Sequence, residues 1–319
     1  MGLINWFKII LADEKARVAA LSIFSNTTLV VFKVIAGILT GSVSVISEAI
    51  HSGLDLLAAI IAFISVRISN RPPDREHRYG HGKFENISGT IEALLIFVAA
   101  IWILVEAYHK IIRGGEVHTL GVGVAVMAVA SVANFTISNL LMKVARKTDS
   151  VALEADALHL RTDVFTSVGV LLGLAVIAIT KIQILDPIIA IAVALLIIKA
   201  AWDITVKAFT PLLDVALPPE EEEEIIRAIE LIVPQGLIGF HELRTRRAGA
   251  ARYVDMHMVV PRDLSIAEVH ALCDLVEEKI NERLPMVNVM VHAEPCEDND
   301  CGLCKGCDRY IKQLADDNN

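Results

Sequence analysis

Long apolar stretches recur along the first part of the chain and end near residue 210. A helix that crosses a lipid bilayer needs about 20 mostly apolar residues, and six stretches reach that length if a few polar residues are allowed. They cover residues 17–40, 43–69, 86–112, 118–145, 151–180 and 183–208. The pattern therefore predicts a six-helix transmembrane domain over residues 17–210, preceded by a short N-terminal cytoplasmic segment at residues 1–16.

Beyond residue 210, apolar and polar residues alternate over the short distances typical of a soluble domain. Pro218-Pro219 and the run Glu220 to Glu224 predict the start of a helix, because acidic side chains in a first turn interact favourably with the helix dipole. Two strands, a second amphipathic helix and a last strand are predicted at residues 241–247, 252–260, 265–284 and 287–292. We expect this α-β-β-α-β order to form a ferredoxin-like, metallochaperone-like α+β domain at residues 211–295, with the helices on one face of the sheet.

Composition supports a membrane protein and argues against one class of partner. The chain has 319 residues, of which 54% are hydrophobic, and its net charge is -9. Soluble domains contain about 45–50% apolar residues, so we expect the additional apolar residues of this chain to lie in membrane-spanning segments. An acidic balance of this kind does not favour nucleic acid as a partner. No small-residue cleavage site follows the short apolar stretch at the N-terminus, so we expect no removable signal peptide.

Basic residues predict how the chain is oriented in the membrane. Loops rich in lysine and arginine stay on the cytoplasmic side. Such residues cluster between spans two and three and between spans four and five: Arg67, Arg71, Arg75, Arg78, Lys83, Lys143, Arg146 and Lys147. Because an even number of spans places both ends on one side, both termini are expected in the cytoplasm, with the protein in the cell (inner) membrane.

Two membrane spans contain the same pair of ionisable residues. Span two has His51 and Asp55, and span five has His159 and Asp163. A spacing of four residues puts both side chains of a pair on one helix face, and ionisable groups inside a membrane are costly and usually functional. If the two helices face each other, two imidazoles and two carboxylates form a tetrahedral set that suits Zn²⁺. The alternative is two unrelated polar pairs, each satisfied by helix packing.

Other polar residues near these motifs have an ordinary explanation as well as a functional one. Glu48 and Asp156 lie close to the paired motifs, where they could guide an ion or simply be solvated at a cavity mouth. The loop after span two contains Asp74, His77 and His81. Histidines four residues apart beside a carboxylate can hold a metal ion, but a solvated loop explains the same residue types equally well.

The region beyond span six contains further candidate metal ligands. They lie near the predicted strand ends and in the second helix: His241, His257, His270, His292 and Glu294. Surface histidines are common in soluble domains, so spacing alone does not decide their role. Four cysteines crowd into the tail at residues 296–319: Cys296, Cys301, Cys304 and Cys307. Thiols at this spacing could bind Zn²⁺ or an iron–sulfur cluster, and we favour zinc because the run lacks the cysteine-proline ending of ferredoxin motifs. Cys273, in the middle of a helix, is expected to be a buried thiol.

The combination of these features resembles the cation diffusion facilitator family. The resemblance rests on the six spans, the paired His-x-x-x-Asp motifs, the stretch His77-Arg-Tyr-Gly-His81-Gly-Lys83 and the α+β tail with its acidic helix, and it covers residues 12–295. It implies a transport site at His51, Asp55, His159 and Asp163, and a loop metal site at Asp74, His77 and His81. The two-histidine transport site is similar to that of zinc-type bacterial and archaeal exporters, whereas all-carboxylate sites accompany manganese.

The resemblance also implies how the protein assembles. Residues that match a cytoplasmic binuclear metal site bridging the two protomers of a homodimer are His241, His257, His270, His292 and Glu294. Glu294 stands where the family more often has aspartate. Lys83 and Asp214 match an ion pair that links the membrane and soluble halves near the dimer axis. The cysteine tail departs from the family pattern.

These observations predict the efflux of a divalent metal cation, with Zn²⁺ as the expected cargo, by metal/proton antiport through alternating access. Metal ligands must lose their protons to bind, so metal and proton occupancy oppose each other, and histidine, with a reference pKa of about 6.5, is the expected proton exchanger. Two alternatives belong to other classes. A membrane metalloenzyme would keep one metal position open for water, which four protein ligands do not leave. A membrane-anchored metal sensor would not need ligands inside the membrane.

Overall fold

The computed structural model describes residues 13–40, 43–113, 121–180, 185–233 and 236–296. They divide into two compact units, with the division between Leu212 and Leu213. Most of the predicted N-terminal segment and the tail beyond Cys296 lie outside the described residues. Each unit has its own hydrophobic core.

The described part of the first unit consists of six long helices. Their bounds are α1 Glu14–Thr40, α2 Val43–Ser69, α3 Lys83–Arg113, α4 Gly121–Thr148, α5 Val151–Thr180 and α6 Leu185–Phe209. Within the described residues, four of these helices contain stretches long and apolar enough to cross a membrane: Glu14–Ile35, Lys83–His109, Ala128–Thr148 and Pro187–Leu213. The remaining two, α2 and α5, carry the paired histidine and aspartate motifs, and some of their side chains are not described.

Large apolar side chains face outward from these helices. Phe24, Phe32, Trp102, Leu196 and Trp202 are each more than half exposed. Apolar surface of this extent is typical of a protein that contacts lipid rather than water. The predicted helical membrane domain is thereby confirmed.

Helix α5 is surrounded by other helices, since it packs against α2, α3, α4 and α6. Small side chains permit this close packing, and Ala152, Ala155 and Ala157 of α5 are fully buried. On α3, Gly89 lies so close to α5 that an added Cβ would be 3.0 Å from Cγ1 of Val151. Asp156 and His159, in the first half of α5, are therefore buried among the helices.

A buried ionic cluster ties four chain segments together at one end of the helices. Glu85, near the start of α3, is 1% exposed. One of its carboxylate oxygens accepts hydrogen bonds from Lys15 of α1 at 3.0 Å and from Ser69 at the end of α2 at 2.8 Å. The other oxygen accepts a hydrogen bond from Ser150, which precedes α5. Because both the charge and the oxygens of Glu85 are matched, its burial is tolerated.

The described part of the second unit contains two helices and a three-stranded sheet. The elements are α7 Pro219–Glu230, β1 Gly239–Ala248, β2 Ala251–Val260, α8 Ile266–Arg283 and β3 Val287–Pro295. β1 pairs antiparallel with β2, and β3 pairs parallel with it on the other side. Ser265 and Glu268 form a capping box at the start of α8, which satisfies backbone N–H groups that a helix start leaves unpaired. The predicted α-β-β-α-β domain is confirmed.

Alternation along β2 separates the core from the open face of the sheet. Val254, Met256 and Met258 are buried in the core to which α7 and α8 contribute Ile229 and Ile280. Because side chains of a strand alternate between faces, the residues between them lie on the opposite side. Both helices thus cover one face, as predicted, and the other face carries His257 and its neighbours across the sheet.

Candidate metal sites

An intramembrane cluster forms where α2 faces α5. Asp55 of α2 and His159 and Asp163 of α5 offer ligand atoms that all lie within 4.8 Å of one another. Nε2 of His159 is 3.2 Å from Oδ1 of Asp55, and both residues are almost fully buried. Packing of the two helices therefore brings together three of the four residues in the paired motifs. The side chain of His51, in α2, lies outside the described ones, so its part in the cluster stays a prediction.

The chemistry of this cluster matches the needs of a divalent cation inside a membrane. Two carboxylates supply negative charge and an imidazole supplies a nitrogen ligand, a combination that suits Zn²⁺. In an interior of low dielectric constant, neighbouring carboxylates repel each other unless a cation or a proton lies between them. The arrangement can therefore bind a metal ion or, in its place, protons.

Asp156 is not solvated at a cavity mouth, which was one of the two explanations offered for it from the sequence. Its side chain is 0% exposed, and neither carboxylate oxygen has a hydrogen-bond partner among the described residues. Asp156 lies three residues before His159, on the same side of α5. Its spacing was visible in the sequence, but its burial depends on the helices that surround α5. The side chain of Glu48 lies outside the described ones.

The turn between α2 and α3 gathers a second group of candidate ligands. Asp74, His77 and His81 offer ligand atoms within 4.8 Å of one another, and the Asp74 carboxylate is 3.4 Å from Nδ1 of His77 and 3.2 Å from Nε2 of His81. The carboxylate also accepts the backbone N–H of His77 at 2.6 Å. This hydrogen bond is the largest of the effects that together lower the pKa of Asp74, against an opposing effect of burial. Gly80, with φ of +81°, permits the tight turn before His81.

Metal binding at this loop site is expected to weaken steeply as the pH falls. Asp74, whose pKa is held low, stays ionised, so the loss comes from His77 and His81. Protons compete with the metal ion for each imidazole, so lowering the pH from about 7.5 to about 5.5 should weaken Zn²⁺ binding by at least about tenfold. Equilibrium dialysis of the protein and of its His81→Ala variant isolates this site. A difference in Zn²⁺ binding between the two proteins that does not change with pH would contradict the assignment of this site.

The open face of the sheet in the second unit carries a row of three histidines. His241, His257 and His292 are register partners on β1, β2 and β3, and their neighbouring ring centroids are 5.1 Å and 4.8 Å apart. The Glu294 carboxylate lies 3.0 Å from Nε2 of His241 and 3.0 Å from Nδ1 of His257. Sheet register thus brings together four of the five residues predicted for the cytoplasmic site.

The electrostatics of this row favour an ionised Glu294. Burial is the largest single effect and raises the pKa of Glu294, but hydrogen bonds and positive charge from His241 and His257 together outweigh it and lower the pKa. An ionised carboxylate between two imidazoles is a suitable ligand for a divalent cation. The substitution of glutamate for the family's more frequent aspartate leaves the carboxylate within reach of both rings.

Glu242, which is not among the residues predicted from the sequence, also faces this row. The pairing of β1 with β2 shifts register between His241 and Arg244, and Glu242 has a left-handed backbone with φ of +50°. The irregularity places the Glu242 carboxylate 3.8 Å from Nε2 of His257. A regular strand would point consecutive residues to opposite faces, so no alternation pattern predicts that His241 and Glu242 both approach His257.

Among the other residues predicted for the soluble part, His270 lies apart from this cluster. His270 is exposed on α8, with its Nδ1 3.8 Å from Asp274, and α8 covers the face opposite the histidine row. Its bridging role between protomers stays a prediction. Cys296 is half-buried and has no disulfide partner within the described part of the chain, while Cys301, Cys304 and Cys307 lie outside that part. Cys273 is only partly buried and packs against the core, and desolvation raises its pKa.

The predicted ion pair between Lys83 and Asp214 joins residues of two different units and stays a prediction. Lys83 is the first residue of α3. Within the second unit, Oδ1 of Asp214 is 3.4 Å from the guanidinium of Arg246.

Models of known protein families match both units of the chain. The family model described as the cation efflux transmembrane domain matches residues 19–213, which is more than half of the chain. The chain belongs to the cation efflux family. A second family model, described as the cytoplasmic domain of cation efflux proteins, matches residues 217–296 of this cation efflux protein. The identification as a cation diffusion facilitator is confirmed.

Two relatives found by sequence agree with this assignment along nearly the whole chain. The Synechocystis sp. protein described as uncharacterized transporter sll1263 is 34% identical over 280 residues, which are 88% of this chain and 90% of that protein. The cation-efflux pump FieF of Klebsiella pneumoniae is 31% identical over 282 residues, 88% and 92% of the two chains. A solved CzrB chain in its zinc form is 35% identical with a TM-score of 0.25, and the match covers 26% of this chain and 92% of that one. The cation efflux protein is therefore a membrane-integral transporter, and the metalloenzyme alternative is set aside.

Proposed function

We propose that this cation efflux protein exports Zn²⁺ from the cytoplasm in exchange for protons. The observation that carries the proposal is the Asp55, His159 and Asp163 cluster, whose ligand atoms lie within 4.8 Å of one another in the membrane unit. Ionisable residues buried in a membrane mark a path or site for an ion. A protein that only sensed metal from a membrane anchor would have no use for such a cluster.

Nitrogen ligands support Zn²⁺ as the cargo. His159 provides one imidazole beside Asp55, and we assign His51, four residues before Asp55 on α2, as the fourth ligand. Imidazole suits Zn²⁺ and its neighbours among the transition metals, whereas sites made only of oxygen suit Mn²⁺, Mg²⁺ and Ca²⁺. A four-ligand site of this type replaces the hydration shell that the ion loses when it leaves water.

The same ligands support proton exchange. A proton on His159, Asp55 or Asp163 and a bound metal ion exclude each other, since a ligand must be deprotonated to coordinate. Alternating access then couples the two: the ion is bound from the cytoplasm with protons released, and protons rebind after the ion has left on the far side. In this cycle both termini are cytoplasmic and the protein resides in the cell (inner) membrane.

We assign the histidine row of the second unit to a homodimer. Metal ions held by His241, His257, His292 and Glu294, with His270 of the second protomer, would draw two soluble domains together. The loop site at Asp74, His77 and His81 and a zinc site in the cysteine tail at Cys296, Cys301, Cys304 and Cys307 complete the proposed metal-binding residues. Lys83 and Asp214 are assigned as the ion pair between the two halves of the molecule.

Flux measurements with purified protein in lipid vesicles test the proposed transport. Vesicles with an acidic interior should take up external Zn²⁺ faster than vesicles without a pH gradient, because protons leave as the ion enters. Cd²⁺ and Mn²⁺ tested in parallel rank the cargo, with Zn²⁺ expected ahead of Mn²⁺. Uptake that ignores the gradient would contradict antiport, and faster uptake of Mn²⁺ would contradict a zinc-type site.

The soluble domain is expected to associate more tightly when it binds Zn²⁺. A fragment of residues 211–295 should sediment as a monomer without metal and as a dimer with it, since ligands from two protomers would complete each site. His257→Ala should abolish this change, because His257 lies at the centre of the histidine row and is 3.0 Å from Glu294. Sedimentation velocity measures both. An unchanged monomer in the presence of Zn²⁺ would remove the bridging role.

A further inference from the structure

A second group of buried polar residues lies beside the intramembrane cluster. Asp156 of α5, Glu92 of α3 and Ser22 of α1 are each 0% exposed. Four of their oxygen atoms have no hydrogen-bond partner among the described residues: both carboxylate oxygens of Asp156, Oε2 of Glu92 and Oγ of Ser22. The second oxygen of Glu92, Oε1, accepts only a long hydrogen bond from Oγ of Ser88, at 3.3 Å.

These residues form one group across three helices. The carboxylates of Asp156 and Glu92 lie close enough to interact electrostatically. Oγ of Ser22 lies beside the Asp156 carboxylate but does not complete a hydrogen bond with it. Asn26 follows one turn later on α1, is 3% exposed, and its Nδ2 also has no partner among the described residues. The group thus brings unsatisfied polar atoms from α1, α3 and α5 into one interior region.

A cation is the ligand that would satisfy this group. A buried polar atom without a partner destabilises the fold, and two buried carboxylates repel each other in addition. One proton would neutralise a single carboxylate and would occupy a single oxygen. A divalent cation with its remaining water molecules would match the charge of Asp156 and Glu92 and coordinate several of the four unpartnered oxygens.

The position of the group relates it to the path of the transported ion. Asp156 precedes His159 by three residues, a rise of about 4.5 Å toward the start of α5, which is the end assigned to the cytoplasm. His159 lies close enough to Asp156 and Glu92 to interact with them electrostatically, and its Nε2 contacts Asp55 of the cluster. His159 therefore belongs to the transport cluster and also adjoins the buried group.

We propose that Asp156, Glu92 and Ser22 form a second intramembrane binding station for the divalent cation, on the cytoplasmic side of the Asp55, His159 and Asp163 cluster. This inference rests on the proposed transport function and adds a site to it. The station is lined by oxygen atoms, so it accepts the ion while part of its hydration shell remains. The nitrogen ligands of the following cluster then select Zn²⁺ from harder cations.

Kinetics of Zn²⁺ uptake into vesicles test the station. Asp156→Asn and Glu92→Gln keep side-chain size but remove one negative charge each, and each should raise KM by at least tenfold at both pH 6.5 and pH 8.0. Asp156→Glu, which restores the carboxylate, should stay within about threefold of the parent. Glu106→Gln removes an exposed carboxylate from the same helix as Glu92 and should leave KM unchanged. Size-exclusion chromatography before reconstitution ensures that only folded protein is compared.

Each alternative outcome is distinct. Unchanged KM in both Asp156→Asn and Glu92→Gln would overturn the station. A shifted pH profile with unchanged KM would also overturn it, because asparagine and glutamine mimic the protonated acids and that result would indicate a proton site. Asp156→Glu as impaired as Asp156→Asn would indicate packing alone. If instead Asp55→Asn transports like the parent, the proposed function itself is wrong, whatever the Asp156 variants do.

Discussion

Asp55→Asn is expected to lower the initial rate of Zn²⁺ uptake by about 1000-fold when the Zn²⁺ concentration is well below KM. Asparagine keeps the size of the side chain and can still contact His159, whose Nε2 is 3.2 Å from Oδ1 of Asp55, so the change removes charge rather than shape. Two unit charges about 4 Å apart at an effective dielectric constant of about 20 attract each other by about 4 kcal/mol, which is about 1000-fold in affinity. The ion carries two charges, so the predicted factor is a lower estimate. Vesicle flux measured at equal amounts of reconstituted protein gives the rate.

A matched control separates this effect from a general effect of charge. Asp203 is an exposed carboxylate on α6, away from the cluster, and Asp203→Asn should change the rate by no more than about twofold, as surface substitutions usually do. Parental transport by Asp55→Asn would show that Asp55 is not a ligand. Equal losses in both variants would point to the loss of membrane-domain charge rather than of a metal ligand.

Glu85→Gln should destabilise the membrane unit strongly without altering a metal ligand. Glu85 is 1% exposed and pairs with Lys15 at 3.0 Å, and the change leaves the Lys15 charge buried and unmatched. Removing one partner of a buried ion pair costs about 3–5 kcal/mol, and for a unit of this size about 1 kcal/mol corresponds to about 2–4 °C in Tm. A decrease of about 10 °C in the thermal midpoint of the detergent-solubilised protein is therefore expected.

The surface of the same unit provides the control for this prediction. Lys147 pairs with Glu14 at 2.6 Å, but its side chain is 67% exposed, and exposed ion pairs contribute less than about 1 kcal/mol. Lys147→Gln should therefore lower Tm by less than about 4 °C. Lys15→Met combined with Glu85→Gln should recover part of the loss, since no unmatched charge then remains. Equal shifts for Glu85→Gln and Lys147→Gln would mean that the buried cluster is not a structural centre.

The helices and strands could be predicted from the sequence because lipid and water each select a different spacing of apolar residues. Lipid requires long continuous apolar runs, and these gave the described helices from Glu14 to Phe209 within a few residues. The sheet and its helices followed from alternation and from start signals such as the capping residue Ser265. The face on which His257 lies was also set by alternation, since Met256 and Met258 beside it are buried.

The candidate sites were recognisable in part, because some metal-ligand spacings are local. The pairs His51 with Asp55 and His159 with Asp163 are four residues apart, which a helix converts into a shared face. The loop residues from Asp74 to His81 are likewise close in sequence. Which helices face each other is a long-range property, and it decided that Asp55 meets His159, whose number along the chain is higher by 104.

The sequence by itself determined the membrane helices, the α+β domain and the residue types available for binding metal, since solvent and backbone periodicity act on neighbouring residues. Only the tertiary structure decided that Asp156 and Glu92 are fully buried and that Glu85 joins four chain segments. It also decided that the irregular pairing of β1 brings Glu242 to His257, which no regular alternation would predict. The physical reason is that burial and mutual approach depend on packing between distant segments, and a local pattern shows which face a residue occupies but not what lies against it.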